Sequence, residues 1–341
     1  MAAFLARRLL LSLGVLAAVS FGTFTLIATK FTSTCSSSFT PQTKFPPLAG
    51  NAHQAASLWW DWLKNVPTGR SFRPACTTGG FLSPFWEAVG HTAVLLALTM
   101  LLVVVFSLLL GTLAAVRART VVDGAFRGFS YIAWAIPSFL LALLLRSVIE
   151  WATDHHGFHV FATSGWPGGC AAAQFGNPAA CPPPLHGFHY VAAVLQHVTV
   201  PAVALALAFI GLHSRYLRSA LLVSLHAPFT TTAYAKGLSE RRVVLRHALR
   251  NSLATFVSAL LLDMGAIFGA AMAVDWVFGL GGLGSLLLAQ LNGIGGGGDG
   301  PAYLDAYSIE NLLAFAALFV LASSFLAELA VGWLDPRARV R

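Results

Sequence analysis

Four groups of side chains in this 341-residue chain have types and spacings that chemistry can use. Gly279-x-Gly281-x-x-Gly284, with Asp305 downstream, has the spacing of a dinucleotide-binding loop. That chemistry needs a strand before the glycines and a βαβ unit around them. A long apolar run precedes them here, so the string reads as a turn. His155, His156, His159, His186 and His189 lie near Cys170 and Cys181, a donor set that suits a soft or borderline metal. The rival is a polar loop in which cysteine bonds cysteine, and it is the expectation, with no resident metal. Asp263, Asp275, Glu310 and Glu328 lie in apolar stretches. A carboxylate there is costly and is kept either for a pathway or for pairing inside a bundle. The fourth group is basic: Lys236, Arg241, Arg242, Arg246 and Arg250 within Thr230–Asn251. No HExxH, GxSxG or GxxxxGK[S/T] string occurs, so no catalytic residue and no nucleotide hydrolysis are assigned to this chain.

These groups are embedded in a chain that is 57% hydrophobic and only 10% charged. Soluble domains carry about 25% charged residues. The deficit predicts an all-α, polytopic membrane protein, because a lipid-exposed strand edge would leave backbone groups unpaired. Six stretches reach the roughly 20 residues that a helical crossing needs: 9–28, 89–116, 126–149, 190–212, 253–278 and 309–334. The first is read as an uncleaved helix rather than a signal peptide, although Arg7-Arg8 precedes it.

With both termini inside, 15 of the 21 Lys and Arg residues fall on the cytoplasmic side, so the topology is expected to be N-in and C-in. The net charge of +8 sits at span ends rather than on one basic face, which excludes nucleic acid as the expected partner and points to membrane lipid. The expected organisation is a first helix at 1–30, an outer loop at 31–88, a membrane domain at 89–334 and a tail at 335–341. Cys35, Cys76, Cys170 and Cys181 all fall in outer loops, which suits disulfides. Cys35–Cys76 and Cys170–Cys181 are favoured because each pair stays within one loop, though three connectivities are possible and a zinc site is the rival.

Local patterns place the remaining features. Ala55–Leu63 reads as a short amphipathic helix whose Trp59, Trp60 and Trp62 rest at the interface or pack beneath the loop. Pro137 is expected to kink the third span. Thr230–Lys236 is expected to be a short helix stopped by Gly237, and Ser239 to cap a second helix over Glu240–Leu249. On that helix Arg242, Arg246 and Arg250 recur every four residues as one stripe. Such an island is either held by lipid headgroups or docked on a cytoplasmic protein.

The string from Ala233-Tyr234-Ala235-Lys236-Gly237-Leu238-Ser239-Glu240 through Arg246-His247-Ala248-Leu249-Arg250-Asn251 resembles the cytoplasmic loop of ABC-importer permeases, specifically the dipeptide/oligopeptide/nickel family. His91-Thr92, Ala135-Ile136-Pro137-Ser138-Phe139, Arg215–Ser219, Val277-Phe278-Gly279 and Leu334-Asp335-Pro336-Arg337 are similar to further segments of that family. The proline-glycine-aspartate-proline string usual after its first helix is absent here, where Thr29-Lys30-Phe31-Thr32-Ser33 stands, and Gly293–Gly300 is an unusual insert.

The resemblance implies a type I permease core and a permease subunit importing short peptides, with a nickel or metal-chelate importer as the alternative. A membrane enzyme or sensor is the rival from another class. It implies a cytoplasmic coupling loop at 213–250, with Thr232, Ala233, Ala235, Lys236, Gly237, Leu238, Arg242 and Arg246 meeting an ATPase. Pro137, Asp275 and Glu310 are candidates for lining the translocation path. The implied partners are a second homologous permease, two ATPase subunits and an extracytoplasmic binding protein. No cofactor belongs to this chain, and ATP and Mg would sit in the ATPase subunits.

Overall fold

The computed structural model describes residues 2–30, 49–68, 82–157, 160–168, 186–291 and 306–334. Cys35, Cys76, Cys170, Cys181 and His159 lie outside the described residues, as do Asp305, Gly293–Gly300 and the string from Asp335 onward. Among the described residues every regular element is helical.

The elements are α1 (Ala2–Lys30), α2 (Ala52–Asn65) with a 3₁₀ turn at Val66–Thr68, α3 (Leu82–Val116), α4 (Val121–Ala135), α5 (Ser138–His156) and α6 (Gly187–Leu225). They continue as α7 (Pro228–Ala235), α8 (Glu240–Arg242), a π-helical segment (Val243–Ala248), α9 (Leu249–Leu262), α10 (Met264–Phe278), α11 (Leu283–Leu291) and α12 (Ala306–Leu334). Four continuous helices are long and apolar enough to cross a membrane: 10–29, 84–116, 187–225 and 307–330. The count becomes six if each of two bent pairs, α4–α5 and α8 through α10, forms one span.

The kink expected at Pro137 is present as a full break, and a second bend occurs where none was expected. At Pro137 the helix breaks outright, and α5 leaves α4 at 97°. Proline has no N–H to give, and its ring drives the preceding residue out of the helical region. Ile136 is extended accordingly, with φ −85° and ψ 122°. The stretch 253–278 bends by 48° at Asp263, between α9 and α10, with Gly265 in the first turn beyond the break.

The chain forms two compact units. One comprises residues 1–92, 168–184 and 279–321. Its α2 confirms the amphipathic helix expected from the tryptophans. Asn51 caps it by accepting from the Gln54 N–H at 2.9 Å, and the Gln54 side chain returns the favour to Gly50 N–H at 2.8 Å. Trp59 and Trp62 turn inward: Trp59 donates to Ser20 Oγ on α1 and Trp62 to Asn311 on α12, each at 2.9 Å. Trp60 points outward with Lys64 over its ring.

The other unit comprises residues 93–167, 185–278 and 322–341. Its core is α6, whose middle is buried from Val198 to Ser214 on nearly every face. A helix apolar all round must be central. Small residues let neighbours approach it. A Cβ at Gly211 would stand 2.8 Å from the Ser130 carbonyl oxygen of α4, and one at Gly111 of α3 would stand 2.9 Å from the Ser214 carbonyl oxygen.

Candidate functional site

The basic segment is built from the end of α6 onward. Helix α6 stops at Leu225, Ala227 is extended, and Pro228 opens α7 at a position where its missing N–H costs nothing. Thr230 is fully buried and donates to the carbonyls of Ser224 and Ala227. Ser224 in turn receives hydrogen bonds from Asn251 Nδ2 and Ser252 Oγ, both at 3.0 Å, so α6, α7 and α9 are joined at one polar knot. Ala233 is the other buried residue of α7, while Thr231, Thr232, Tyr234 and Ala235 are exposed.

The turn after α7 has the expected glycine. Gly237 has φ +76°, Leu238 N–H bonds the Ala233 carbonyl, and Gly237 N–H bonds the Tyr234 carbonyl. Those two bonds define a Schellman stop, which places its C′ residue in the left-handed region. A Cβ on Gly237 would meet nothing within 4 Å, so backbone conformation is what selects glycine there. Lys236 and Gly237 are exposed and Leu238 is half-buried.

The second helix differs from expectation. Ser239 occupies the cap position, but its side chain makes no capping bond. After one α-helical turn the chain widens into a π segment, where Leu249 N–H reaches the Val244 carbonyl five residues back. The wider turn buries Val243, Val244 and Ala248 together, with Ala248 packed on Leu221 and Ala115. Arg242, Arg246 and Arg250 all remain exposed. Insertions of this kind are frequent at functional sites.

A second anchor was not read from the sequence. The Asp123 carboxylate is 1% exposed, yet it accepts two hydrogen bonds from the Arg218 guanidinium of α6, at 2.6 and 2.7 Å, and one from Arg119 N–H at 3.0 Å. Arg127 approaches to 3.8 Å. The paired fork is the strong form of this contact. Arg119 is held at φ +66°, and Thr120 caps α4. The available signal was Thr120-x-x-Asp123 at the start of an apolar helix, which is a capping-box pattern.

Pro137 and Asp275 belong to one compact unit and Glu310 to the other. Pro137 is exposed at the α4–α5 break, and Asp275 is buried in α10. Glu310 is fully buried in α12, with one carboxylate oxygen taken by Ser20 at 2.7 Å and the other by Thr23 at 3.0 Å. The glycine string forms the turn between α10 and α11, as read, with Gly279 and Gly281 at positive φ. The Leu283 N–H after it bonds Thr92 Oγ1 at 2.9 Å, and His91 Nδ1 lies 3.2 Å from the Gly281 carbonyl. Two segments far apart in sequence are thereby joined. Among the described residues no group of three His, Cys, Asp or Glu is arranged to hold a metal.

Residues 107–340 match the family of binding-protein-dependent transport system inner membrane components, and the chain belongs to that family. It is accordingly a multi-pass inner-membrane permease component rather than an enzyme. Similar proteins include the oligopeptide transport system permease protein OppB of Mycobacterium tuberculosis strain H37Rv, 26% identical over the full length of both chains. A putative peptide permease protein of Brucella suis biovar 1 is 28% identical over 74% of this chain and 69% of its own. The dipeptide transport system permease protein DppB of Bacillus subtilis strain 168 is 26% identical over 74% of this chain and 67% of its own.

Proposed function

We propose that this chain is one permease subunit of an ATP-driven importer of short peptides, and that α7 is the helix through which ATP hydrolysis elsewhere in the complex moves it. One observation carries the reading. A short helix with an exposed outer face (Thr231, Thr232, Tyr234, Ala235, Lys236) is knotted at its base to both α6 and α9. A push on α7 therefore reaches two long helices without slack.

In this reading the segment faces the cytoplasm, with both termini on that side. Thr232, Ala235 and Lys236 meet the groove of an ATPase subunit, while Ala233 seats α7 on its own chain. Gly237 and Leu238 form the stop that aims α8. Arg242 and Arg246, exposed beyond it, pair with carboxylates of the ATPase or with lipid phosphate. ATP and Mg bind the two ATPase subunits. A second homologous permease completes the path, and an extracytoplasmic binding protein delivers the cargo. The names of the relatives, oligopeptide and dipeptide permeases, support peptide as cargo over nickel.

The test is ATPase stimulation of the co-purified complex in nanodiscs by its binding protein, loaded with mixed short peptides or with nickel. Stimulation by the peptide form is expected, and stimulation by nickel alone would replace the cargo assignment. Gly237→Trp must force a side chain into the left-handed region, at about 1–2 kcal/mol. The complex is expected to assemble yet lose import about tenfold or more, since 1.4 kcal/mol is a factor of ten in such an equilibrium. An unchanged import rate would remove α7 from the coupling role.

A further inference from the structure

His213 stands in the buried middle of α6, its side chain wholly enclosed. Its Nδ1 lies 2.9 Å from the Phe209 carbonyl oxygen. A carbonyl has no proton to give, so Nδ1 is the donor and carries hydrogen. In neutral imidazole the other nitrogen, Nε2, then presents a lone pair. It faces Asp263 Oδ2 at 3.4 Å, and the Ala259 carbonyl also faces the ring. Neither Nε2 nor Oδ2 has a hydrogen-bond partner, and both atoms are sealed from the surface.

A neutral ring against an ionised carboxylate would set lone pair against lone pair in a medium where unpaired polar atoms are costly. One additional proton resolves the conflict. Placed on Nε2 it gives an imidazolium donating to Asp263, and placed on Oδ2 it gives a carboxyl donating to His213. Either way the two groups titrate as a unit.

The surroundings leave that proton to this pair. Phe209, Tyr216 and Phe256 ring the imidazole. On the α4 side, Ser130 and Trp134 flank α6, Tyr131 takes the Arg215 guanidinium at 4.6 Å, and Asp123 takes Arg218. α5 brings Arg146 and Glu150, which pair with each other at 2.8 Å. α10 carries Asp275 twelve residues beyond Asp263, about 18 Å along the helix axis. α3 packs here through Gly111, against Ser214 and Leu217. Asp263 keeps 31% of its side chain at the surface, although the oxygen facing His213 is sealed.

Asp263 is also the residue at which α9 and α10 bend by 48°. We propose that His213 and Asp263 form a one-proton latch that ties α6, the helix leading into α7, to the α9–α10 bend, and that the latch opens when the pair loses its proton. Once deprotonated the pair keeps a buried charge and no hydrogen bond, so the bend is freed to change relative to α6. The latch is intact on the acid side of the pair's titration and is lost as pH rises through it. Its functional consequence rests on the coupling role of α7, but the shared proton does not.

Two measurements on the complex in nanodiscs separate these statements. The infrared difference spectrum between about pH 5 and about pH 8, the range in which histidine changes its charge, reads the proton directly. A carboxyl or imidazolium signal is expected in the wild type and is expected to vanish in both Asp263→Asn and His213→Gln. Superimposable wild-type and Asp263→Asn spectra would overturn the shared proton.

The second measurement is the ratio of stimulated to basal ATPase across the same pH range. In the wild type it is expected to fall on the alkaline side, approaching tenfold per pH unit for a single proton. Asp263→Asn supplies an amide N–H that donates to Nε2 and cannot dissociate, so its ratio is expected to stay level. An identical alkaline decline in both would show that the latch does not gate coupling, even with the shared proton intact. Absence of stimulation at every pH would count against the coupling reading and leave the infrared result standing.

Discussion

Two carboxylates face the same helix five residues apart and are held in opposite ways. Asp123 meets Arg218 through a two-bond fork at 2.6 and 2.7 Å, with a backbone N–H as a third donor. Asp263 meets His213 at 3.4 Å, with no hydrogen bond formed by the two facing atoms. Arginine keeps its charge at any working pH, so the first pair is a permanent clamp between the α4 start and α6. Histidine gains and loses its charge near neutrality, so the second contact depends on one proton. The same acidic side chain thus fixes a helix in one place and conditions its movement in another, and the basic partner on α6 decides which.

Making one substitution at both places tests that contrast most sharply. Asp123→Asn leaves the Arg218 guanidinium without its counter-charge and is expected to destabilise the unit by about 3 kcal/mol. The measurement is a thermal unfolding midpoint of the complex in nanodiscs. Asp263→Asn, in the same measurement, is expected to shift stability by less than about 1 kcal/mol, because the amide can still donate to Nε2. Equal losses would erase the distinction between clamp and latch.

Between these extremes lies Gly211→Ala, whose methyl would collide with the Ser130 carbonyl and press α4 away from α6. Overpacking of this sort costs about 1–3 kcal/mol. It is expected to lower the midpoint by spreading the α4–α6 contact. The smallest effect belongs to Thr120→Ala. Its hydroxyl caps α4 through a long 3.4 Å contact with Asp123 N–H and donates to the Arg117 carbonyl at 2.7 Å in an exposed position where water can replace it, so a loss of about 0.5 kcal/mol is expected. A loss as large as that of Asp123→Asn would mean that the cap, rather than the ion pair, holds this corner.

Much of the architecture was readable because membrane insertion acts on long stretches of chain. Runs of apolar residues near 20 long must be helical wherever water is absent, so the helical stretches were legible along with their approximate limits. The Gly237 stop was legible for a local reason, since a left-handed backbone at a helix end selects glycine. The Pro137 break was half legible: proline announces a disruption, but the angle of 97° depends on what α4 and α5 pack against. At 240–248 a local reading predicted an ordinary helix. The π segment arose instead, and its wider turn buries Val243, Val244 and Ala248 together beside α6.

The sequence by itself determined that this chain carries membrane-length helices interrupted by a basic segment with a glycine stop, because those properties follow from composition, local backbone preference and charge along the chain. Only the tertiary structure decided which charges become partners. Arg218 and Asp123 are 95 residues apart. His213 and Asp263 come from different helices, and Glu310 finds its hydroxyls on α1. Such pairings depend on helix rotation and close approach, set here by glycines such as Gly211 and Gly111. Those are properties of packed surfaces, and no single stretch of sequence encodes them.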